Sequence, residues 1–172
     1  TLYGVLPDDL PGLDPYSQQV ISKWAIRMPA QQWIDQGRKH LVKSAALMRT
    51  PEDVRDAICN GYPVTIASDV GFSMRPPVKD GRLVNSRRGS WAHQMICCSY
   101  DGATGSQPYY YILNSWGEDA HGTPPDDAPP GGFWITRRYL DAMVRQGDTF
   151  ALSQFDGFES QEWLILTRKE QE

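Results

Sequence analysis

The sequence predicts an α+β domain: an antiparallel sheet or partial barrel with a few helices. Three observations lead there. Two helical segments come first, several short β-branched or aromatic runs follow, and a single helical segment comes late. Turn-rich stretches rather than alternating helices join the runs, which disfavours a doubly wound parallel sheet. At 172 residues the chain is long enough for one domain with a real core and short for two. Its composition, 40% hydrophobic and 22% charged with six tryptophans, is that of a folded protein rather than a disordered segment.

Residues 1–16 hold three prolines and three aspartates and read as an irregular lead-in. From Ser17 the apolar residues Val20, Ile21, Trp24, Ala25 and Met28 fall at helical spacing until Pro29 interrupts, which predicts a helix over 17–27. The clearest start signal is Thr50-Pro51-Glu52-Asp53: an N-cap hydroxyl, a proline whose missing N–H is harmless there, and acids in the first turn. A helix over 51–59 follows, with Val54, Ala57 and Ile58 on its inner face and Asn60-Gly61 as its stop. Cys59, at its end, reads as a small buried hydrophobe rather than a nucleophile. A β-branched run over 63–67 is a strand. Residues 76–89 read as a solvated polar loop carrying Arg82, Arg87 and Arg88. Runs over 91–100 and 109–113, separated by a turn-rich stretch, form a hairpin. A Gly/Pro/Asp linker over 117–132 leads to Phe133-Trp134-Ile135, then a helix over 138–145 and strands over 149–155 and 163–167.

Several functions are excluded or disfavoured by bulk properties. The net charge is -4 and the basic residues are scattered, so no stripe exists to neutralise phosphates and nucleic acid is not an expected partner. No run approaches the roughly 18 apolar residues that span a bilayer, and no basic-then-apolar leader is present, so a soluble chain without a membrane partner is expected. Cys59, Cys97 and Cys98 cannot all pair internally, and neighbours on a strand point to opposite faces, so no disulfide framework is expected and the redox compartment stays open. No cluster has metal-ligand spacing; His40 sits without carboxylate or cysteine company, and His121 reads as a solvated surface histidine in its linker. No metal or cofactor is expected.

Two segments carry chemistry: Ser90-Trp91-Ala92-His93-Gln94-Met95 opening one strand, and Tyr111-Ile112-Leu113-Asn114-Ser115-Trp116-Gly117 ending the next. An antiparallel ladder brings the start of the first beside the end of the second, so His93 can meet Asn114. An isolated histidine there is more often a satisfied core or hairpin residue; the company of Asn114 and Trp116 reverses that preference. An imidazole with a fixed amide partner suits catalysis by a thiol, since the histidine holds the proton and the amide oxygen orients the ring. Trp116 would cover that hydrogen bond and exclude water from it.

In these motifs the chain resembles the right-hand domain of the papain-like cysteine peptidases. The likeness covers roughly residues 50–136: the helix ending in Asn60-Gly61-Tyr62-Pro63-Val64, the His93 strand with its Tyr100-Asp101-Gly102 turn, Asn114 to Gly117, and Gly132-Phe133-Trp134-Ile135. The resemblance implies thiol-dependent peptide-bond hydrolysis of a peptide or protein substrate, with His93 as general base, Asn114 as its orienter, and Ser115 and Trp116 in support. It places Ala67, Gln94 and Trp91 against substrate, the first two in the pocket for the side chain two residues before the scissile bond. It divides the chain into 1–49, an irregular and helical remnant of the left-hand domain, 50–160, the His/Asn-bearing β domain, and 161–172, a carboxy-terminal strand and tail.

The pattern departs from the family in one decisive respect. Nothing before His93 looks like the family's cysteine-tryptophan helix start, and its oxyanion-hole glutamine is also missing. Cys59 lies in the wrong element, and Cys97 and Cys98 lie four and five positions beyond His93, about 13 to 17 Å along the strand at roughly 3.3 Å per residue. Ala92 before His93 and Ala120, near the family's usual second tryptophan, leave primed-side binding open. Taken alone, the chain is expected to be inactive. The start at Thr1 fits a piece whose cysteine lies on an amino-terminal segment or another chain, the favoured explanation. A degenerate homologue acting as a binding or structural scaffold and a purely architectural likeness are the others, and acyl transfer would use the same pair.

Overall fold

The best-defined start signal in the sequence becomes the best-capped helix. Thr50 Oγ1 accepts from the Asp53 N–H at 3.1 Å while Asp53 Oδ2 accepts from the Thr50 N–H at 3.0 Å and the Arg49 N–H at 2.9 Å. This reciprocal box satisfies backbone donors that the first helical turn leaves without intrahelical partners. The computed structural model describes residues 11–13, 18–27, 29–102 and 107–155. Its helices are α1 (Gln18–Ile26), α2 (Gln31–Gly37), α3 (Pro51–Cys59) and α4 (Arg137–Val144). Its strands are β1 (Val42–Leu47), β2 (Val64–Phe72), β3 (Val78–Lys79), β4 (Arg82–Leu83), β5 (Arg87–Asp101), β6 (Tyr109–Leu113), β7 (Gly132–Thr136) and β8 (Thr149–Phe155). The expected strand over 163–167 lies outside the described residues.

The main sheet has six strands in the order β1-β8-β2-β5-β6-β7, and it is open rather than a closed barrel. The α+β class holds: the β2–β5, β2–β8, β5–β6 and β6–β7 pairs are all antiparallel. The described residues divide into two compact units, one comprising those up to Ser44 with residues 153–155, the other Ala45–Leu152. The second unit holds His93 and Asn114. None of its helices, nor any other among the described residues, is long and apolar enough to cross a membrane.

Side-chain alternation decides what each strand buries. Along β5, Met95 and Cys97 are buried while Gln94, Ile96 and Cys98 are exposed. The inward set joins Val64, Ile66 and Val70 of β2, Tyr110 and Ile112 of β6, and Phe133 and Ile135 of β7 in one core, which α3 and α4 close with Val54, Leu140 and Met143. Strands β6 and β7 are covered on both faces. Tyr109, Tyr111, Val84 and Trp134 form a second cluster on the other side. The tyrosine hydroxyls find partners, Tyr110 donating to Pro51 O at 3.2 Å and Tyr109 to Asp80 Oδ2 at 3.1 Å. Burial pushes the Tyr110 and Tyr111 phenols up to about 12.

Three expectations are corrected here. Residues 76–89 are not a plain polar loop: β3 and β4 form a hairpin across Asp80 (φ 52) and Gly81 (φ 73), the two left-handed residues that a type I′ turn requires. Arg82 in that hairpin is not solvated; it pairs with Asp101, and its guanidinium lies 5.5 Å from the Tyr109 ring and 4.9 Å from the Trp134 ring. Arg87 and Arg88 are exposed, as expected, but belong to β5. Cys59 is exposed rather than buried, because it falls past the inner face that Val54 and Ala57 occupy. The helix α2 and strand β1 have no counterpart among the sequence-based expectations.

Candidate active site

Strand β5 enters the sheet beside β2, where Ser68 stands opposite His93 and Ala67 opposite Gln94. Directly opposed residues share a face, so His93 sides with Ser68 and the core, whereas Gln94 sides with Ala67 on the other face. Trp91, two residues before His93, is on the His93 face, and its ring lies 5.4 Å from the imidazole. Gly71 of β2 makes room for that indole: a Cβ there would come 2.6 Å from Trp91 Nε1 and 2.5 Å from Arg88 O. On the far side of β5, Ile96 pairs with Leu113 at the end of β6. Asn114 follows directly, its N–H donating to Gly131 O at 3.2 Å.

The Asn114 side chain is the hub of the site and is buried, 8% exposed. Its Oδ1 accepts from the Ser115 N–H at 2.8 Å and lies 2.9 Å from His93 Nε2. Its Nδ2 lies 3.1 Å from Nε2 of His121, whose Nδ1 in turn lies 3.2 Å from Met74 O. A backbone N–H can only donate, so the Ser115 contact identifies the amide oxygen and fixes every other role. His93 carries its proton on Nε2 and donates to Asn114; Asn114 Nδ2 donates to His121 Nε2; His121 Nδ1–H donates to Met74 O.

Trp116 adds the aromatic wall. Its ring is 4.8 Å from His93, 5.2 Å from Trp91 and 6.1 Å from His121, so the indole rests against both imidazoles that bracket the amide while remaining 42% exposed itself. Beneath the second imidazole, Phe133 meets His121 edge-on at 4.7 Å and 83°.

His121 is therefore not the solvated linker histidine that its surroundings suggest. It is 3% exposed. The loop folds back because Gly117 (φ 98) and Gly122 (φ 93) take left-handed backbone open to glycine, closing short turns from Ala120 N to Gly117 O at 3.2 Å and from Gly122 N to Asp119 O at 3.3 Å. Burial lowers the His121 pKa below its ordinary 6.5, the Met74 carbonyl raises it and the Arg75 charge lowers it further. No local pattern in the sequence signals this placement; the spacing of seven residues from Asn114 is its one trace.

The remaining sequence-derived residues are placed as follows. Gln94 Nε2 donates to Thr65 Oγ1 at 2.5 Å, on the face away from His93. Thr65, Gln94, Ile96, Leu113, Asn114 and Ser115 line an open groove of about 440 Å³ there. Ala67 shares that face without lining the groove. Cys97 is buried on the core face of β5 and Cys98 is exposed on the opposite one. Burial pushes the Cys97 thiol well up, and partial desolvation of the sulfur raises Cys98 less despite the exposure of the residue as a whole, which is the reverse of nucleophile activation. Among the described residues no three histidine, cysteine or carboxylate side chains converge to hold a metal ion.

No protein-family model matches the sequence, and no curated protein matches it. Among solved structures the chain is similar to xylellain, a cysteine protease from Xylella fastidiosa, with a TM-score of 0.50 and 16% identity over 74% of this chain. The chain spans 46% of the length of that structure, and at this identity the likeness concerns the fold.

Proposed function

We propose that this chain supplies the general base and its orienter, His93 and Asn114, for thiol-dependent hydrolysis of peptide bonds, the thiol coming from an upstream segment or another chain. The observation that carries the reading is the 2.9 Å contact of His93 Nε2 with an Asn114 oxygen whose identity the Ser115 N–H settles. With the proton on Nε2, Nδ1 is the basic nitrogen. A thiol beside it gives up its proton there, and the thiolate attacks the scissile carbonyl carbon. The imidazolium then protonates the departing amine, leaving a thioester. Water, losing a proton to Nδ1, attacks that thioester; the acid product leaves and the thiolate–imidazolium pair is restored. Asn114 holds the ring through both steps, and Trp116 limits water around the amide contact. Trp91, whose ring lies 5.4 Å from the imidazole, is assigned to substrate contact. Gln94, which lines the groove, and Ala67, opposite it on the same face, are assigned to a substrate side chain. The fold likeness to a cysteine protease supports the reaction class.

A second reading, an inactive scaffold acting as a binding or structural domain, draws on the placement of Cys59, Cys97 and Cys98 away from His93. The two are separated by expressing the parent gene product and measuring turnover of a fluorogenic peptide library. The peptidase reading expects hydrolysis blocked by a thiol alkylator, and a loss of about 10³-fold in His93→Ala, within the range general acid–base groups contribute. Undiminished turnover in His93→Ala sinks the assignment, and no turnover at all from the parent product favours the scaffold.

A further inference from the structure

The reading above uses one of the two imidazoles that touch Asn114. The other is buried, hydrogen-bonded at both nitrogens and has no role in it. Its direction of hydrogen bonding is not free. Asn114 Nδ2 is a donor because Oδ1 is committed to the Ser115 N–H, so His121 Nε2 must be a bare acceptor and its proton must sit on Nδ1, facing Met74 O. Only the neutral imidazole in that one tautomer satisfies the chain of contacts. An imidazolium would set Nε2–H against the Asn114 NH₂, donor against donor, inside a pocket floored by Phe133.

We propose that His121 is a positioning residue: as a neutral imidazole it accepts from Asn114 Nδ2, and so holds Asn114 Oδ1 toward His93 and the His93 proton on Nε2. Its importance for turnover rests on His93 being the base; the tautomer relay itself does not. Loss of the acceptor leaves a buried donor unsatisfied and removes one of the contacts that set the amide's orientation. Protonation of His121 goes further, because it rewards rotation of the amide until Oδ1 faces His121, at the cost of the Ser115 N–H contact that otherwise holds Oδ1. The NH₂ group then faces His93 Nε2, which must become the acceptor, and the His93 proton moves to Nδ1, the nitrogen the base needs free. Acid is thus read at His121 and expressed as the wrong tautomer at His93.

The surroundings of His121 bias it toward neutrality. Asn114 and the Trp116 ring approach from the end of β6, Phe133 from β7, and the Met74 carbonyl from the segment after β2. Arg75, on that same segment, is the nearby cation; its Nη1 donates to Asp119 O at 3.4 Å, which holds the guanidinium over the loop. Glu118 and Asp119 on His121's own loop are the acids close in sequence, and His93 lies across the amide. Burial and Arg75 oppose protonation, and the Met74 carbonyl partly offsets them.

The test is imidazole ¹⁵N spectroscopy of the full chain, which needs neither thiol nor turnover. Wild type is expected to show His93 as the Nε2–H tautomer and His121 as the Nδ1–H tautomer at neutral pH. In His121→Phe, His93 is expected to become a mixture of tautomers, and in His121→Gln, whose Oε1 restores an acceptor near the Nε2 position, to return to Nε2–H. An unchanged His93 tautomer in His121→Phe overturns the proposal. Should that variant not fold, titration of wild type decides: the His93 tautomer must switch as His121 protonates, and a His93 signal indifferent to that step overturns it equally. The peptidase reading can fail on its own, through undiminished turnover in His93→Ala, with these spectra unaltered.

Discussion

The two histidines that bracket Asn114 reach it by different routes. His93 arrives on β5, paired with Ser68 of β2 and three residues before β5 begins to pair with β6 at Ile96, so its position follows from strand register. His121 arrives on the connection between β6 and β7, which has no ladder; its position follows from left-handed turns at Gly117 and Gly122 and from contacts of its ring with the Asn114, Trp116 and Phe133 side chains and the Met74 carbonyl. The first imidazole is held by the sheet and would persist if its partner were lost. The second is held by the partners themselves. Backbone pairing makes a position robust, whereas a position built from side-chain contacts is cooperative with everything it touches.

The largest expected effect comes from removing the floor shared by core and loop. Phe133 is fully buried and packs 5.2 Å from Phe72 as well as under His121. Phe133→Ala is expected to lower the unfolding free energy by about 3–5 kcal/mol, and to release His121 from its single tautomer while His93 stays on its strand. Denaturant unfolding together with the ¹⁵N spectra measures both; equal loosening of the two imidazoles would erase the contrast drawn between them. Next comes the hub. On the proposed peptidase reading, Asn114→Ala is expected to reduce turnover by about 10²-fold or more, since a wrong-tautomer lesion in a Ser–His–Asp triad costs about 10⁴, with most of the loss in kcat rather than KM.

Acidification sharpens the comparison further. The His121 pKa is depressed in the folded chain, so below its ordinary 6.5 the unfolded chain takes up a proton that the folded one declines. Stability therefore falls as pH drops through 6.5 and stops falling, on this account, once the folded pKa has been passed. His121→Gln is expected to flatten that limb in pH-dependent unfolding. A lower limb should survive, because Glu52, held down by its hydrogen bond to Arg137, and Asp53, held down by the Arg49 backbone N–H, have ordinary values of 4.5 and 3.8 and lose their contribution as pH falls through their folded pKa values. An unaltered upper limb would mean that His121 is not the group responsible. The smallest effect is a control far from either histidine. Thr50→Ala is expected to cost about 1 kcal/mol through the lost cap, with the His93 and His121 spectra unchanged.

Much of the fold is legible in the sequence. The helix expected over 51–59 is α3 to the residue, the 109–113 strand is β6, and the 149–155 strand is β8. Expected helices over 17–27 and 138–145 correspond to Gln18–Ile26 and Arg137–Val144. Local signals suffice in such places: a capping box, an aromatic run, a proline or glycine stop. The misses share a cause. Arg82 looks solvated because its loop is polar, yet its partners Asp101, Tyr109 and Trp134 lie at least nineteen residues away. The Asp80-Gly81 pair is a hairpin signal whose weight is small because the strands it joins are two residues each.

The sequence by itself determined the α+β class, the capped helix and the strand order that brings His93 within reach of Asn114, because period, caps and turn residues act over a few neighbours. Only the tertiary structure decided that Gln94 turns away from His93, that Arg82 lies over two aromatic rings, and that His121 is folded back against Asn114. Each of these depends on a strand face or on partners far along the chain, and a buried polar group takes whichever partner the fold brings within about 3 Å.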